Sequence, residues 1–401
     1  MPEPPRLTPP PIWILAFGAA AGPMAVTLIA PAVPLIRESL RIDGNTAQLI
    51  LTMLLVSMGV GQLLAGPLSD RIGRRPVFLA GTALFGIAGA IAAFSDSMTM
   101  LILCRILQGF GAAASIAMAR STVGDVFTRQ EAAKAMSTIT AMMAVVPVLG
   151  TALGGIVADT IGWEGAFLVL ATSGLILFAA VSLKVEETHH HREAKSVRQT
   201  LAGYLTLFRS PMFVACSLTT ALQTAVFFSL MGFIAYSFDR MGIPAAIYGL
   251  WMSATSGGYV LGNILNRRLL ARHSLETLTW GGGILSISAL VFMLILHTLM
   301  PMQPIGLALP MFIMGIANGA IIANTIIGAS GAIPALRGTA TGLVGALQMA
   351  CGGIAGTLAI ALGADTNTSI GILVLIGIGC CSAIPSWFLY RGQRSASGEG
   401  A

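Results

Sequence analysis

The chain has 401 residues, of which 55% are hydrophobic and only 9% charged, with 47 glycines and a mean hydropathy of +0.84. That composition excludes a water-soluble domain, which could not cover so much apolar mass with so little polar surface, and points to an integral membrane protein whose partner is the lipid bilayer. The net charge of +6 comes from Lys and Arg spread over many short loops, so no nucleic-acid partner is expected.

A helix needs roughly 20 apolar residues to cross the hydrocarbon core. The sequence predicts twelve such spans, at 13–35, 47–67, 76–94, 98–122, 135–158, 163–183, 212–236, 246–266, 277–297, 302–327, 339–362 and 369–390. The start, MPEPPRLTPPPIW, lacks a small-residue cleavage site after the first apolar run and reads as a tail, 1–12, leading into a retained first helix. The polar stretch from Lys184 to Thr200 divides the helices six and six. Residues 13–183 and 212–390 are therefore two six-helix bundles, 184–211 is a linker and 391–401 a second tail.

The halves echo each other. GPLSDRIGRR, Gly66–Arg75, follows helix 2, and GNILNRRLLARH, Gly262–His273, follows helix 8. QGFGAAASIAMARS in helix 4 shares a small-residue rhythm with GIANGAIIANTIIGAS in helix 10. Two repeated bundles imply a pseudo-twofold, all-α membrane fold with a cleft between halves that rock against each other. Only Arg37, Arg41 and Arg240 fall in loops opposite the N-terminus, and Arg105 and Arg120 lie inside helix 4; the rest of the 22 basic residues lie on the N-terminal side. Positive charge marks the cytoplasmic face, so both termini are expected in the cytoplasm.

Five Cys, all within predicted helices, show no metal-site spacing. The triple His at 189–191 has no His or carboxylate inside a helix to continue an ion path. Neither a metal nor a cofactor is expected. H-E-x-x-H and G-x-S-x-G elements do not occur, so an enzyme is not expected either.

The charge concentrated in GPLSDRIGRR, with Gly66, Asp70, Arg71, Gly73, Arg74 and Arg75, resembles the helix 2–3 loop motif of the major facilitator superfamily. LIAPAVPLI in helix 1, RILQGFGAAASIAMARSTVGDVF, EAAKAMS and the GW pair at 162–163 resemble that superfamily's Bcr/CflA branch of drug:proton antiporters. The resemblance implies twelve helices in the bacterial inner membrane, a monomer, a small-molecule substrate and protons as the coupling ion. It also implies that Asp70 locks the outward-facing state against a helix N-terminus of the other half, where the dipole favours a carboxylate, with the loop before helix 11 and Arg337 as partner. Arg74 then relays to Asp125, completing the latch.

Two departures bear on mechanism. Thr27 stands in helix 1 where that branch usually carries an acid, and none of the 16 acids lies deep in a helix. An uncoupled facilitator, or an importer of a metabolite such as a siderophore or organic acid, is therefore the alternative to an exporter. In helix 5 the family's G-P-x-x-G-G reads G-T-A-L-G-G, Gly150–Gly155, leaving Pro147 to kink the helix and Gly150, Gly154 and Gly155 to allow close packing between the halves.

Polar residues in the middle of helices are few: Thr27, Arg105, Gln108, Gln223, Asn318, Asn324 and Gln348. Each alone suits an interhelical hydrogen bond, and Arg105 also suits bonding to helix 1 carbonyls. The preferred reading gathers them in a substrate and proton cavity walled by Met142, Met143, Phe227, Phe228, Met231 and Trp251. An Arg without a deep acid disfavours cations, so the expected substrate is a neutral, zwitterionic or anionic amphipathic compound.

Overall fold

Prolines break the first span. The computed structural model describes residues 9–188 and 197–396, and in it α1, Ile12–Ser39, is α-helical over Ile12–Thr27 and Val33–Ser39 with a 3-10 turn at Ala30–Ala32 between them. Pro31 and Pro34 have no N–H to give to the helical ladder, so the helix must stop and restart there. Carbonyls in the last turn before such a break lack backbone partners and become available to side chains.

Eleven further long helices follow: α2 Gly44–Ile72, α3 Arg74–Ala93, α4 Met98–Val126, α5 Arg129–Thr160, α6 Trp163–Lys184, α7 Pro211–Arg240, α8 Ala245–Leu269, α9 Leu275–Leu299, α10 Ile305–Gly331, α11 Arg337–Ala361 and α12 Thr368–Ala396. The linker carries one shorter helix, Val197–Phe208. Eleven of the twelve long helices are apolar enough to cross a membrane by length and composition. The twelfth, α8, is 25 residues long and is less apolar because it carries polar groups that bond to neighbouring helices: Ser253 donates to the Val148 carbonyl at 2.6 Å, and Asn266 pairs with Asn324. The twelve predicted spans are thus the twelve helices, with α12 running on to Ala396 rather than 390. The triple His lies outside the described residues.

Each half has its own packing. In the first, α4 lies against α1, α2 and α3, and α3 against α6; in the second, α7 lies against α11 and α12, and α10 against α8 and α9. The halves meet where α2 packs on α11 and α5 on α8. The start of α1 and the end of α12 lie at one end of the bundle, because an even number of helices returns the chain to its starting side. The cross-half hydrogen bonds lie toward the other end, and that asymmetry positions the site.

Candidate functional site

At the termini-bearing end the motif residues form one charged cluster. The chain turns from α2 into α3 at Gly73, whose φ of +106° is a left-handed conformation that favours glycine. Arg74 is the hub. Its Nη1 donates to Asp70 Oδ1 at 2.7 Å and to Ser69 Oγ, and its Nε donates to Asp125 Oδ2 at 3.2 Å. The carboxylate of Glu187 accepts the Arg74 and Arg75 backbone N–H groups at 2.9 and 3.2 Å, where the α3 N-terminus favours negative charge. Thr188 donates to Asp125 at 3.0 Å, and Arg75 Nη2 to the Ser182 carbonyl at 2.9 Å. The predicted relay Asp70–Arg74–Asp125 is therefore present, and Glu187, Thr188 and Ser69 extend it. Nothing in their spacing from the motif marks them, since chain folding alone returns the end of α6 to the start of α3.

The bonds of this cluster join the first half to the start of the linker. The hydrogen bond of Asp70 goes to Arg74 of its own half, not to the α11 N-terminus expected as its partner. Arg71 is exposed, and a Cβ added at Gly66 would find nothing within 4 Å.

The opposite end is closed. Asp159, in the last turn of α5, accepts the Ala245 and Ala246 N–H groups at 3.1 and 2.8 Å, so a carboxylate of one half caps the first turn of α8 in the other. Gly155 abuts the Ala245 backbone and Gly249 the Thr151 carbonyl. Thr52 of α2 bonds Thr357 of α11 at 2.8 Å and the Gly353 carbonyl at 3.2 Å. The buried side chain of Gln48 fits against Gly232 and Gly356, where an added Cβ would lie 2.8 and 2.7 Å away. Arg37 lies 5.3 Å from the centroid of the Tyr236 ring. Just outside, Thr46 hydrogen bonds hold the Asp43 carboxyl, which caps α2, below the usual carboxylate range. Among the described residues, the hydrogen bonds between the halves lie toward this end, and the charge cluster lies at the other.

Asp159→Ala removes two charge-assisted bonds from an exposed helix end, worth about 1 kcal/mol. The expected result is a roughly fivefold rise in labelling of a cysteine placed at Thr52 by an impermeant maleimide. Asp159→Asn, which keeps an acceptor but not the charge, is expected to fall between. Unchanged labelling in the Ala variant would show that this contact does not hold the closure.

The expected polar cavity set is not gathered in this conformation. Arg105 is wholly enclosed in the first half: Nε donates to the Ile50 carbonyl, Nη1 to Gln108 Oε1 and Nη2 to the Ala25 carbonyl, each at 2.9 Å. Its guanidinium lies 5.8 Å from the centroid of the Phe167 ring. It tethers α1, α2 and α4, using a carbonyl exposed by the α1 break, instead of opening on a cavity. Gln108 is its buried partner. Thr27 bonds back to the Pro23 carbonyl at 2.9 Å. Gln223 donates to Ser286 at 2.5 Å, Asn324 forms a reciprocal amide pair with Asn266 at 2.8 and 3.0 Å, and Gln348 donates to Thr224 at 3.0 Å. All of these stay within one half, because a polar group in an apolar bundle takes the nearest partner that satisfies it. Asn318 is buried, and its Oδ1 has no hydrogen-bond partner. Among the expected walls Met231 is buried, whereas Met142, Met143, Phe227, Phe228 and Trp251 are half-buried.

In α5 the reading of small residues holds in part. Gly155 meets the other half, but Gly150 faces Thr27 and Gly154 faces Leu28, both of α1. Pro147 sits inside α5, and its carbonyl accepts the Thr151 hydroxyl at 2.5 Å.

Two six-helix halves, sealed against each other at one end and carrying a charge cluster at the other, have the architecture of a membrane transporter. The sequence matches the Major Facilitator Superfamily over residues 15–357, and the chain belongs to that family. It is 28% identical over 351 residues to Multidrug resistance protein D of Escherichia coli (strain K12), covering 83% of this chain and 84% of that one. It is 29% identical over 320 residues to a Chloramphenicol resistance protein of Pseudomonas aeruginosa, covering 79% and 76%. A Bicyclomycin resistance protein homolog of Haemophilus influenzae is 26% identical over 343 residues, covering 83% and 84%; these relatives are of the Bcr/CflA type. In structure the chain is similar to a D-xylose-proton symporter, with a TM-score of 0.79 at 15% identity over 94% of this chain and 96% of that one.

Proposed function

We propose that this protein exports small amphipathic neutral, zwitterionic or anionic compounds across the bacterial inner membrane by proton-coupled alternating access. The observation that carries the reading is the opposite state of the two ends. α5 and α8 are joined through Asp159 at one end, while Asp70 stays within its own half at the other. With the positive-inside orientation, this is a cytoplasm-facing conformation, the state that loads an exporter. Relatives named for multidrug, chloramphenicol and bicyclomycin resistance support drug-like cargo. The absence of Asp or Glu from the middle of every helix supports the exclusion of cations. In the outward-facing state Asp70 then engages the α11 N-terminus.

The test is purified protein in liposomes with an imposed pH gradient, loaded with chloramphenicol as an uncharged probe. Substrate-evoked proton movement is expected; substrate equilibration indifferent to pH would overturn coupling. That outcome is the second reading, an uncoupled facilitator or importer, which the lack of a membrane-embedded acid favours. Asp70→Asn is expected to slow transport by about tenfold with substrate affinity unchanged, because the helix-end charge contact is worth about 1 kcal/mol or somewhat more. Normal transport by the Asn variant would remove Asp70 from the latch.

A further inference from the structure

Once Arg105 is enclosed, the cation expected in the cavity is missing, and a second Arg in the same helix takes on significance. Arg120 lies six residues inside the termini-bearing end of α4, Met98–Val126, or roughly 9 Å at the helical rise. It is half-buried. Its guanidinium meets no oxygen acceptor among the described residues; its one hydrogen-bond contact is to Met143 Sδ on α5, at 3.5 Å. The nearest acid along its own helix, Asp125, is already bonded to Arg74 and Thr188, and Asp70 to Arg74.

A guanidinium offers five N–H donors, and a thioether is a weak acceptor for one of them. A charge at that depth facing hydrocarbon would be costly, so its open side faces water. The helix it reaches, α5, is one of those at which the halves meet. The water it faces is therefore on the side where α5 borders the other half. A half-buried guanidinium there, with a thioether sulfur as its hydrogen-bond contact, has donors free for an anion.

We infer that Arg120 is the substrate-recognising cation of this transporter, and that its preferred cargo carries a carboxylate or sulfonate on an apolar body. This rests on the efflux reading and narrows it. Neutral compounds use the apolar walls alone, whereas an anion adds bidentate, charge-assisted bonds to the guanidinium. Met143 is the placeholder that the anionic group displaces.

The experiment compares naphthalene-2-sulfonate with the uncharged naphthalene-2-sulfonamide by equilibrium dialysis against the full chain in phosphatidylcholine nanodiscs. The protein is expected to prefer the sulfonate by tenfold or more. Arg120→Gln is expected to erase that preference by weakening the sulfonate tenfold or more, with the sulfonamide within twofold; Arg120→Lys is expected to keep part of it. A melting temperature within a few degrees of the parent shows that each variant is folded. Sulfonate binding unchanged in Arg120→Gln, or no preference in the parent, overturns the assignment. Chloramphenicol export by the same variants separates the two readings. Export with unchanged anion binding sinks Arg120 and leaves efflux standing. Lost anion preference in a protein that exports no drug sinks efflux and leaves Arg120 standing.

Discussion

Replacing Gly249 by leucine is expected to abolish transport while leaving the protein folded. A Cβ at that position runs into the Thr151 carbonyl and lies 3.0 Å from the Ala152 Cα, and backbone cannot swing aside as a flexible side chain can. Overpacking of this kind costs about 3 kcal/mol, roughly a hundredfold in the population of the closed state. The contact joins α5 to α8 across the halves, so each half keeps its own core and the melting temperature should move by only a few degrees. A cysteine at Thr52, buried where α2 meets α11, should become fully reactive to an impermeant maleimide. Gly257→Leu is the control, since a Cβ there meets nothing within 4 Å and transport should persist. If Gly249→Leu transports normally, the closure seen here is not a required step of the cycle.

Arg105→Ala is expected to destabilise the protein by about 3–5 kcal/mol, because it leaves a void and removes the donor to three buried acceptors at once. The readout is a sharply lower melting temperature in detergent and a lower folded yield, both independent of substrate and of pH. Arg105→Lys should recover little: one ammonium cannot reach the Ile50 and Ala25 carbonyls and the Gln108 amide as a planar fork does. A stable Arg105→Ala variant with weakened substrate binding would return this residue to the cavity.

These outcomes separate roles that residue type alone cannot. Arg105 and Arg120 stand in one helix of one sequence, both are basic, and both lie inside a span. The first finds the carbonyl freed where α1 breaks; the second reaches across to α5 and finds sulfur. Thr27, Gln223 and Asn324 were equally open to a cavity role, and each has a partner in its own half. Gly150, Gly154 and Gly155 share one pattern of small residues, yet two face α1 and one faces α8, because residues one apart on a helix point about 100° apart.

By itself the sequence determined the twelve spans, the division into halves, the side that carries positive charge and the family. Each of these follows from local composition: a long apolar run can satisfy its backbone in lipid only as a helix, and charge patterning acts loop by loop. The Asp70–Arg74–Asp125 relay was legible too, through a motif whose residues are mostly neighbours in the chain. Tertiary structure alone decided which end is shut, that Asp159 caps a helix in the other half, that Glu187 returns to cap α3, and that Arg120 reaches the sulfur of Met143. Those depend on contacts between residues far apart in the chain, where a hydrogen-bonding group's partner is set by how the helices pack and not by its neighbours in sequence.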